Sequence, residues 1–398
     1  DAHDNMPQRN KYQPRQRGKI TPSWVTFETC QLIKSLDPSD VEVTSLPLML
    51  HAFSTPISSK EPTMLEAQMT FRQFLLHDYR HSGLEKDLVF LLEDIATACR
   101  IISNHVRDGA FQNNLGAAGS TNIQGETQKQ LDVIANEEFV RHCANCSRVA
   151  ALVSEEVDDV YWLKKETKAG NYIVYFDPLD GSSNLDVNLS VGSIFSIVQI
   201  AEPIDPNDEA SVLRPGNEQI CAGYSVYGPS TSLVITTGHG VNGFTHQQGT
   251  GEFRLTFPDM TIPETTNEFA INASRYRLWD EPIRRYFNEC LAGVDGERGA
   301  NTNMRWTASM VADIHRILTR GGVFLYPEDA GNRATGGKLR LMYEANPMGF
   351  VVEQAGGAAS TGTQRILDVT PTSHHQRVPV IMGSKNEVAR IDGFHDNA

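Results

Sequence analysis

Apolar residues first settle into a sustained period at Leu84. Leu88, Leu91, Leu92, Ile95, Ile102 and Val106 fall at helical spacing, which predicts a helix from Leu84 with Gly109 as its stop. The stretch GAAGSTNIQGET (116–127) reads as a mobile loop, and a second helix is expected from Lys129 towards Cys143. Short apolar runs follow at Ala151–Val153, Tyr172–Phe176, Gly192–Ile200, Cys221–Tyr227 and Leu233–Thr237, and these predict strands, some paired as hairpins. Pro203, Pro206 and Pro215 make 201–216 a loop. Later the pattern predicts a helix over Trp306–Leu318, a strand over Val323–Tyr326 and a helix over Met348–Ala355. The mixture is that of a layered α/β protein. Residues 1–63 stand apart, with seven prolines and no period of 2 or 3.6, and read as a peripheral or flexible extension.

Composition narrows the partners. The chain has 398 residues, enough for two to three domains at ordinary domain size. A net charge of −14 argues against nucleic acid as the main partner, because phosphate backbones attract basic surfaces. No apolar stretch is long enough to span a membrane. The six cysteines (Cys30, Cys99, Cys143, Cys146, Cys221, Cys290) are scattered, which fits a reducing compartment, and a cytoplasmic location is expected. Cys143 and Cys146 form a single C-x-x-C without a second pair or histidine ligands, so they read as structural thiols.

Candidate chemistry gathers where two strands end. One runs through Leu152 and Val153 into Glu155 and Glu156; the other runs from Tyr172 to Phe176 and straight into Asp177, Pro178, Leu179 and Asp180. Carboxylates at the mouths of apolar strands repel one another and resist desolvation, so a compensating cation is expected. Oxygen ligands without His or Cys select a hard ion such as Mg²⁺ or Mn²⁺. Glu155 and Glu156 taken alone fit solvated loop charges equally well. In FDPLDGSSN (176–184), however, the acids precede Gly181, Ser182, Ser183 and Asn184, whose backbone N–H groups and hydroxyls can cradle an anion. A metal beside a phosphate cradle points to phosphoryl chemistry.

These residues also carry a resemblance. FDPLDGSSN, preceded by VSEE and followed by KLRLMYEANPMGFVVEQAGG (338–357), resembles class I fructose-1,6-bisphosphatases of bacterial type, within the sugar-phosphatase and inositol-phosphatase superfamily. AGSTNIQG (118–125), LDVIAN (131–136), PTSHHQR (371–377) and MGSK (382–385) fall in matching order, and the likeness runs from about Met69 to the end. It implies an αβαβα sandwich and hydrolysis of the 1-phosphate of fructose 1,6-bisphosphate, as in gluconeogenesis or the Calvin cycle. It further implies Mg²⁺, replaceable by Mn²⁺, and a homotetramer. The implied organisation is an extension over 1–63, a regulatory-type domain over 64–260 and a substrate domain over 261–398.

The resemblance also assigns roles. Glu155, Asp177, the Leu179 carbonyl, Asp180 and Glu344 would hold metal, and Asp132 and Glu156 would take a proton from the attacking water. Asn122 and Glu126 belong to a loop closing over the site, with Glu126 standing where the family usually has Asp. Gly181, Ser182, Ser183 and Asn184 would hold the departing phosphate. Asn272, Tyr326 and Lys338 would hold the distant phosphate and sugar, with Arg305 reaching in from a neighbouring subunit. Trp306 and Arg275 stand at or near positions where phosphate-binding tyrosines are common, so the remote pocket departs in detail. A sedoheptulose 1,7-bisphosphatase, or an enzyme acting on both sugars, is the alternative. A non-catalytic regulatory homologue is a remoter one, which retention of all four metal acids disfavours. At the positions where AMP-inhibited relatives carry a Lys-Tyr pair and an Arg, this chain reads Asn171-Tyr172 and Gln199, so weak AMP inhibition is expected. No cysteine in 201–216 would support redox control.

Overall fold

The computed structural model describes residues 69–112, 117–121, 127–163, 171–201, 204–206 and 208–396. Helix α1 (Phe71–His81) opens the described chain on a capping box: Gln73 N–H donates to Thr70 Oγ1, and Thr70 N–H donates to the Gln73 amide oxygen at 2.9 Å. Helix α2 (Lys86–Gln112) follows and passes Gly109 by three residues, contrary to the expected stop. A single glycine costs a helix only about 1 kcal/mol, and the packed Leu88, Leu91, Leu92 and Ile95 stripe outweighs it. Part of the presumed loop is ordered as an antiparallel pair, β1 (Ala117–Thr121) and β2 (Thr127–Lys129), which delivers the chain to α3 (Gln130–Cys143).

Eight strands then build the larger sheet: β3 (Val149–Ser154), β4 (Tyr161–Trp162), β5 (Tyr172–Asp180), β6 (Val191–Gln199), β7 (Gln219–Tyr227), β8 (Thr231–Thr236), β9 (Asn242–Gln247) and β10 (Glu252–Phe257). Their order is β10-β9-β8-β7-β6-β5-β3-β4, antiparallel except for the β3–β5 pair. β5 is buried along its whole length. Tyr172, Val174 and Phe176 face α2 and α3, where Phe176 stacks on Phe139 at 4.9 Å, while Ile173 and Tyr175 face the other side.

The second half begins with β11 (Glu268–Ile271), α4 (Glu281–Ala292), β12 (Asn303–Met304), α5 (Met310–Arg320), β13 (Val323–Tyr326) and β14 (Leu339–Arg340). A π-helical turn, Leu341–Ala345, leads into α6 (Asn346–Gln354), followed by β15 (Ala358–Ser360), β16 (Arg377–Val378), β17 (Val380–Gly383) and α7 (Lys385–His395). The five-stranded sheet runs β12-β11-β13-β17-β15, and β14 pairs with β16 apart from it. Helix α5 starts four residues later than its apolar pattern suggests. Ala308 is in the left-handed region at φ 59°, and Ser309 is extended as the N-cap, so Trp306–Ser309 stays outside the helix.

Three apolar clusters define five layers. One joins α1–α3 to the large sheet, and a second fills the space between the two sheets around α5 and α6. A third packs α4 and α7 on the outer face of the small sheet. The order α/β/α/β/α is that of the expected sandwich. Cys99, Cys143, Cys146, Cys221 and Cys290 are buried and form no disulfides, and burial pushes the Cys143 thiol well above its ordinary value. Among the described residues, no helix is long and apolar enough to cross a membrane.

Candidate active site

The end of β5 shapes the site. Between the pairs Asp177–Ile194 and Asp180–Gly192, β5 advances three residues while β6 advances two. In a regular strand residues three apart face opposite sides; the extra residue brings both aspartates to one side. Hydrogen bonds fix this bulge: Ser193 Oγ donates to the Pro178 carbonyl at 2.7 Å, and Leu179 N–H donates to Asp177 Oδ1 at 2.9 Å. The chain then turns at Gly181, whose φ of 73° and close approach to Ser309 leave no room for a Cβ.

Four buried carboxylates converge there. Asp180 Oδ2 accepts from Ser309 Oγ at 2.9 Å and from Val311 N–H at 3.1 Å, at the start of α5. Glu344 arrives on the π-helical turn and accepts from Arg340 N–H at 2.6 Å. Carboxylate oxygens of Asp177, Asp180 and Glu344 lie within 4.8 Å of one another. Glu155 follows β3, its N–H donating to the Phe176 carbonyl, and its Oε1 lies 2.7 Å from Arg340 Nη1. Arg340 is also 3.9 Å from Glu344 and is 4% exposed, so this arginine pairs with two of the four acids.

That imbalance moves the acids. Burial, then repulsion from Glu155, Asp180 and Glu344, raises Asp177 well above the usual carboxylate range. Burial pushes Asp180 up to about 6 and Glu344 up to about 8, with hydrogen bonds from Val311 and Ser309 opposing the shift at Asp180. A buried acid cluster of oxygen donors, short of positive charge, fits a hard divalent cation. Asp132, in the first turn of α3, accepts from Lys129 N–H at 2.7 Å through Oδ2. Its buried Oδ1 has no hydrogen-bond partner among the described residues, and burial pushes this acid up to about 6.

A cleft of about 300 Å³ holds these groups together. Asp132, Glu155, Glu156, Asp177, Leu179, Asp180, Glu344 and Gly181–Ser183 line it, together with Asn272, Tyr326 and Lys338. Trp306 is also a wall residue, stacked on Phe324 and tilted against Tyr326, each at 5.8 Å. Three residues named from the sequence do not line this cleft. Asn184 is buried, and its amide donates to the Thr307 and Ser190 carbonyls, tying the turn after β5 to the segment before α5. Arg305 is exposed and paired with Glu268 at 3.3 Å, and Arg275 is held bidentately by buried Asp329. Asn122 and Glu126 fall outside the described residues.

Two polar cleft residues, Arg340 and Ser309, have no assigned role in the sequence reading. Arg340 sits within KLRLMYEANPMGF, and a cation four residues before Glu344 was its available signal. Ser309 could have been read as an N-cap directly preceding an apolar helix. Away from the cleft, Tyr172 and Gln199 both donate to Glu85, at 2.7 and 3.0 Å, so an acid stands between the positions discussed for AMP.

Two family models match the chain, fructose-1-6-bisphosphatase N-terminal domain over residues 69–258 and fructose-1-6-bisphosphatase C-terminal domain over residues 262–396. Among solved structures, the chain is similar to Leishmania major fructose-1,6-bisphosphatase in holo form, with 37% identity and a TM-score of 0.77. The apo form gives 35% and 0.73, and the T-state form 36% and 0.73. Each alignment covers 83% of this chain and 99% of the other.

Proposed function

The chain belongs to the fructose-1,6-bisphosphatase family, and from that premise we propose that its cleft removes the 1-phosphate of fructose 1,6-bisphosphate, giving fructose 6-phosphate and inorganic phosphate. The observation that carries this reading is the excess of buried acid at Asp177, Asp180 and Glu344, directly beside the Gly181–Ser183 turn in a cleft that Lys338 also lines. Glu155, Asp177, the Leu179 carbonyl, Asp180 and Glu344 would hold Mg²⁺, or Mn²⁺ in its place. That ion would supply Lewis-acid polarisation and offset charge on the phosphoryl oxygens.

The remaining work belongs to the chain's own residues. Gly181, Ser182 and Ser183 offer donors to the reacting phosphate. Asn272, Tyr326 and Lys338 bind the far end of the sugar bisphosphate, and that binding energy aligns the phosphorus with an incoming water. Water's oxygen bonds to phosphorus as the bond from phosphorus to the C1 oxygen breaks, and the leaving C1 oxygen takes a proton from solvent. The water proton passes to Asp132 or Glu156; Asp132, with its unpartnered Oδ1 and a value near 6, is suited to accept it near neutral pH. Asn122 and Glu126 would close over the site, and Arg305 would complete a neighbour's pocket in a cytoplasmic homotetramer serving carbohydrate metabolism.

The division into 1–63, 64–260 and 261–398 is part of the proposal. A chain beginning at Met64 should keep its fold and turnover, and insolubility or inactivity of that chain would undo the division. The test of substrate is a comparison of kcat/KM for fructose 1,6-bisphosphate and sedoheptulose 1,7-bisphosphate. The chemistry at the acids is the same for both, so only the remote pocket separates them. Faster hydrolysis of the fructose ester is expected, and preference for the seven-carbon sugar would overturn the assignment.

A further inference from the structure

Glu155 and Glu344 reach the cleft from segments far apart in the chain, the loop after β3 and the π-helical turn before α6. Two adjacent histidines, His374 and His375, connect those segments behind the acids. His375 Nδ1 lies 3.3 Å from the Tyr343 hydroxyl, and Tyr343 is fully buried and immediately precedes Glu344. On the other side of the ring, Nε2 lies 3.5 Å from Asp158 Oδ1, and the Val157 backbone also hydrogen-bonds to His375. His374 adds a bond from Nε2 to the Asp158 carbonyl at 2.7 Å, with the two imidazoles 4.4 Å apart.

Which ring nitrogen carries the proton follows from the direction of the Tyr343 bond. If the Tyr343 hydroxyl donates to Nδ1, the ring proton is on Nε2 and points towards the Glu155–Val160 loop. Burial, with His374 beside it, pushes His375 down to about 4, so the neutral ring persists at physiological pH. The adjacent imidazoles thus touch both acid-bearing segments, His374 bonding the Asp158 carbonyl and His375 meeting Asp158 on one side and the Tyr343 hydroxyl on the other.

We propose that His375 is a positioning residue, clamping the Glu155–Val160 loop to the Leu341–Ala345 turn and so fixing the separation of Glu155 and Glu344 around a divalent cation. The proposal rests on the reading that these acids hold such a cation. Groups that orient metal ligands commonly change metal affinity by about 10- to 100-fold when removed. His375 acts one bond further out, so an effect near the lower figure is expected.

The test measures Mn²⁺ binding to the full chain by the electron paramagnetic resonance of free Mn²⁺, without substrate, alongside thermal melting. Tyr343→Phe keeps the ring and removes one hydroxyl; His375→Gln removes the bridge; the double variant closes the cycle. Each single variant should bind Mn²⁺ about 10-fold more weakly, and the double no worse than the weaker single, because both remove the same link. At saturating Mn²⁺, kcat should return to within about 3-fold of the parent, since the ion then re-forms its own site. Tyr343→Phe remains decisive if His375→Gln melts early. Unchanged Mn²⁺ affinity in folded variants, or losses that simply add, would overturn the clamp. A parent chain that binds no Mn²⁺ would instead remove the cation reading and the clamp with it.

Discussion

Two of the buried groups of charged side chains among the described residues differ in how completely their charges are matched. Between α4 and α7, Glu387 receives the Arg298 guanidinium at 2.6 Å on one oxygen and the Tyr286 hydroxyl at 2.7 Å on the other. One acid meets one base, and the charge is closed. At the cleft, Arg340 pairs with Glu155 and Glu344 while Asp177 and Asp180 lie beside them, and three of the four acids are driven towards their protonated forms. Burial of charge therefore does not by itself distinguish a working site from a packing element; the unmatched remainder does.

Substitution should separate the two groups sharply. Asp177→Asn keeps the shape of the site and removes one of its charges, so kcat should fall at least ~100-fold, about 2.7 kcal/mol of barrier, with the fold retained. Near-normal turnover at saturating Mg²⁺ would break the contrast at its functional end. Glu387→Gln should do the reverse: Arg298 keeps hydrogen-bonding partners but loses its counter-charge, costing about 2 kcal/mol of stability while kcat holds. Denaturant unfolding alongside turnover reads both quantities, and a large loss of kcat in the folded variant would erase the distinction.

A subtler effect follows from protonation. Asp180 is pushed up to about 6 from 3.8 and Glu344 up to about 8 from 4.5, so the native state binds more protons than the unfolded chain over that span. Stability from this cluster is thus full below about pH 4 and declines as pH rises through these values when no divalent cation is present. Mg²⁺ pairs with the ionised acids and should reverse the decline. The rise in Tm on adding Mg²⁺ should accordingly be greater near pH 8 than near pH 5.5. Equal rises at both would mean that these carboxylates are not where the ion acts.

The sequence made the metal end of the cleft easier to read than its surroundings. FDPLDGSSN places Asp177, Asp180 and the Gly181–Ser183 donors within nine consecutive residues, so proximity in the chain stands in for proximity in space. Glu344 and Lys338 arrive from another half of the protein, and only the resemblance joined them to that motif. Arg340 was passed over because its importance lies in two carboxylates brought to it by folding. Strands with unbroken apolar runs, such as β5 and β6, were legible for the same local reason. Helix α1 was not, since its recognisable signal is the Thr70–Gln73 cap and only Phe71, Leu75 and Asp78 are buried. Over Trp306–Ser309 the apolar spacing continues, but the left-handed Ala308 overrides it and keeps that segment at the cleft wall.

The most direct measurement of the central claim is phosphate release from fructose 1,6-bisphosphate by the purified chain, first with divalent cations chelated and then with Mg²⁺ restored, while the sugar product is followed by phosphorus resonance. The unmatched acids at Asp177, Asp180 and Glu344 predict negligible release under chelation, recovery with Mg²⁺, and fructose 6-phosphate as the sole sugar product. Undiminished turnover under chelation, or release of the 6-phosphate, would contradict it.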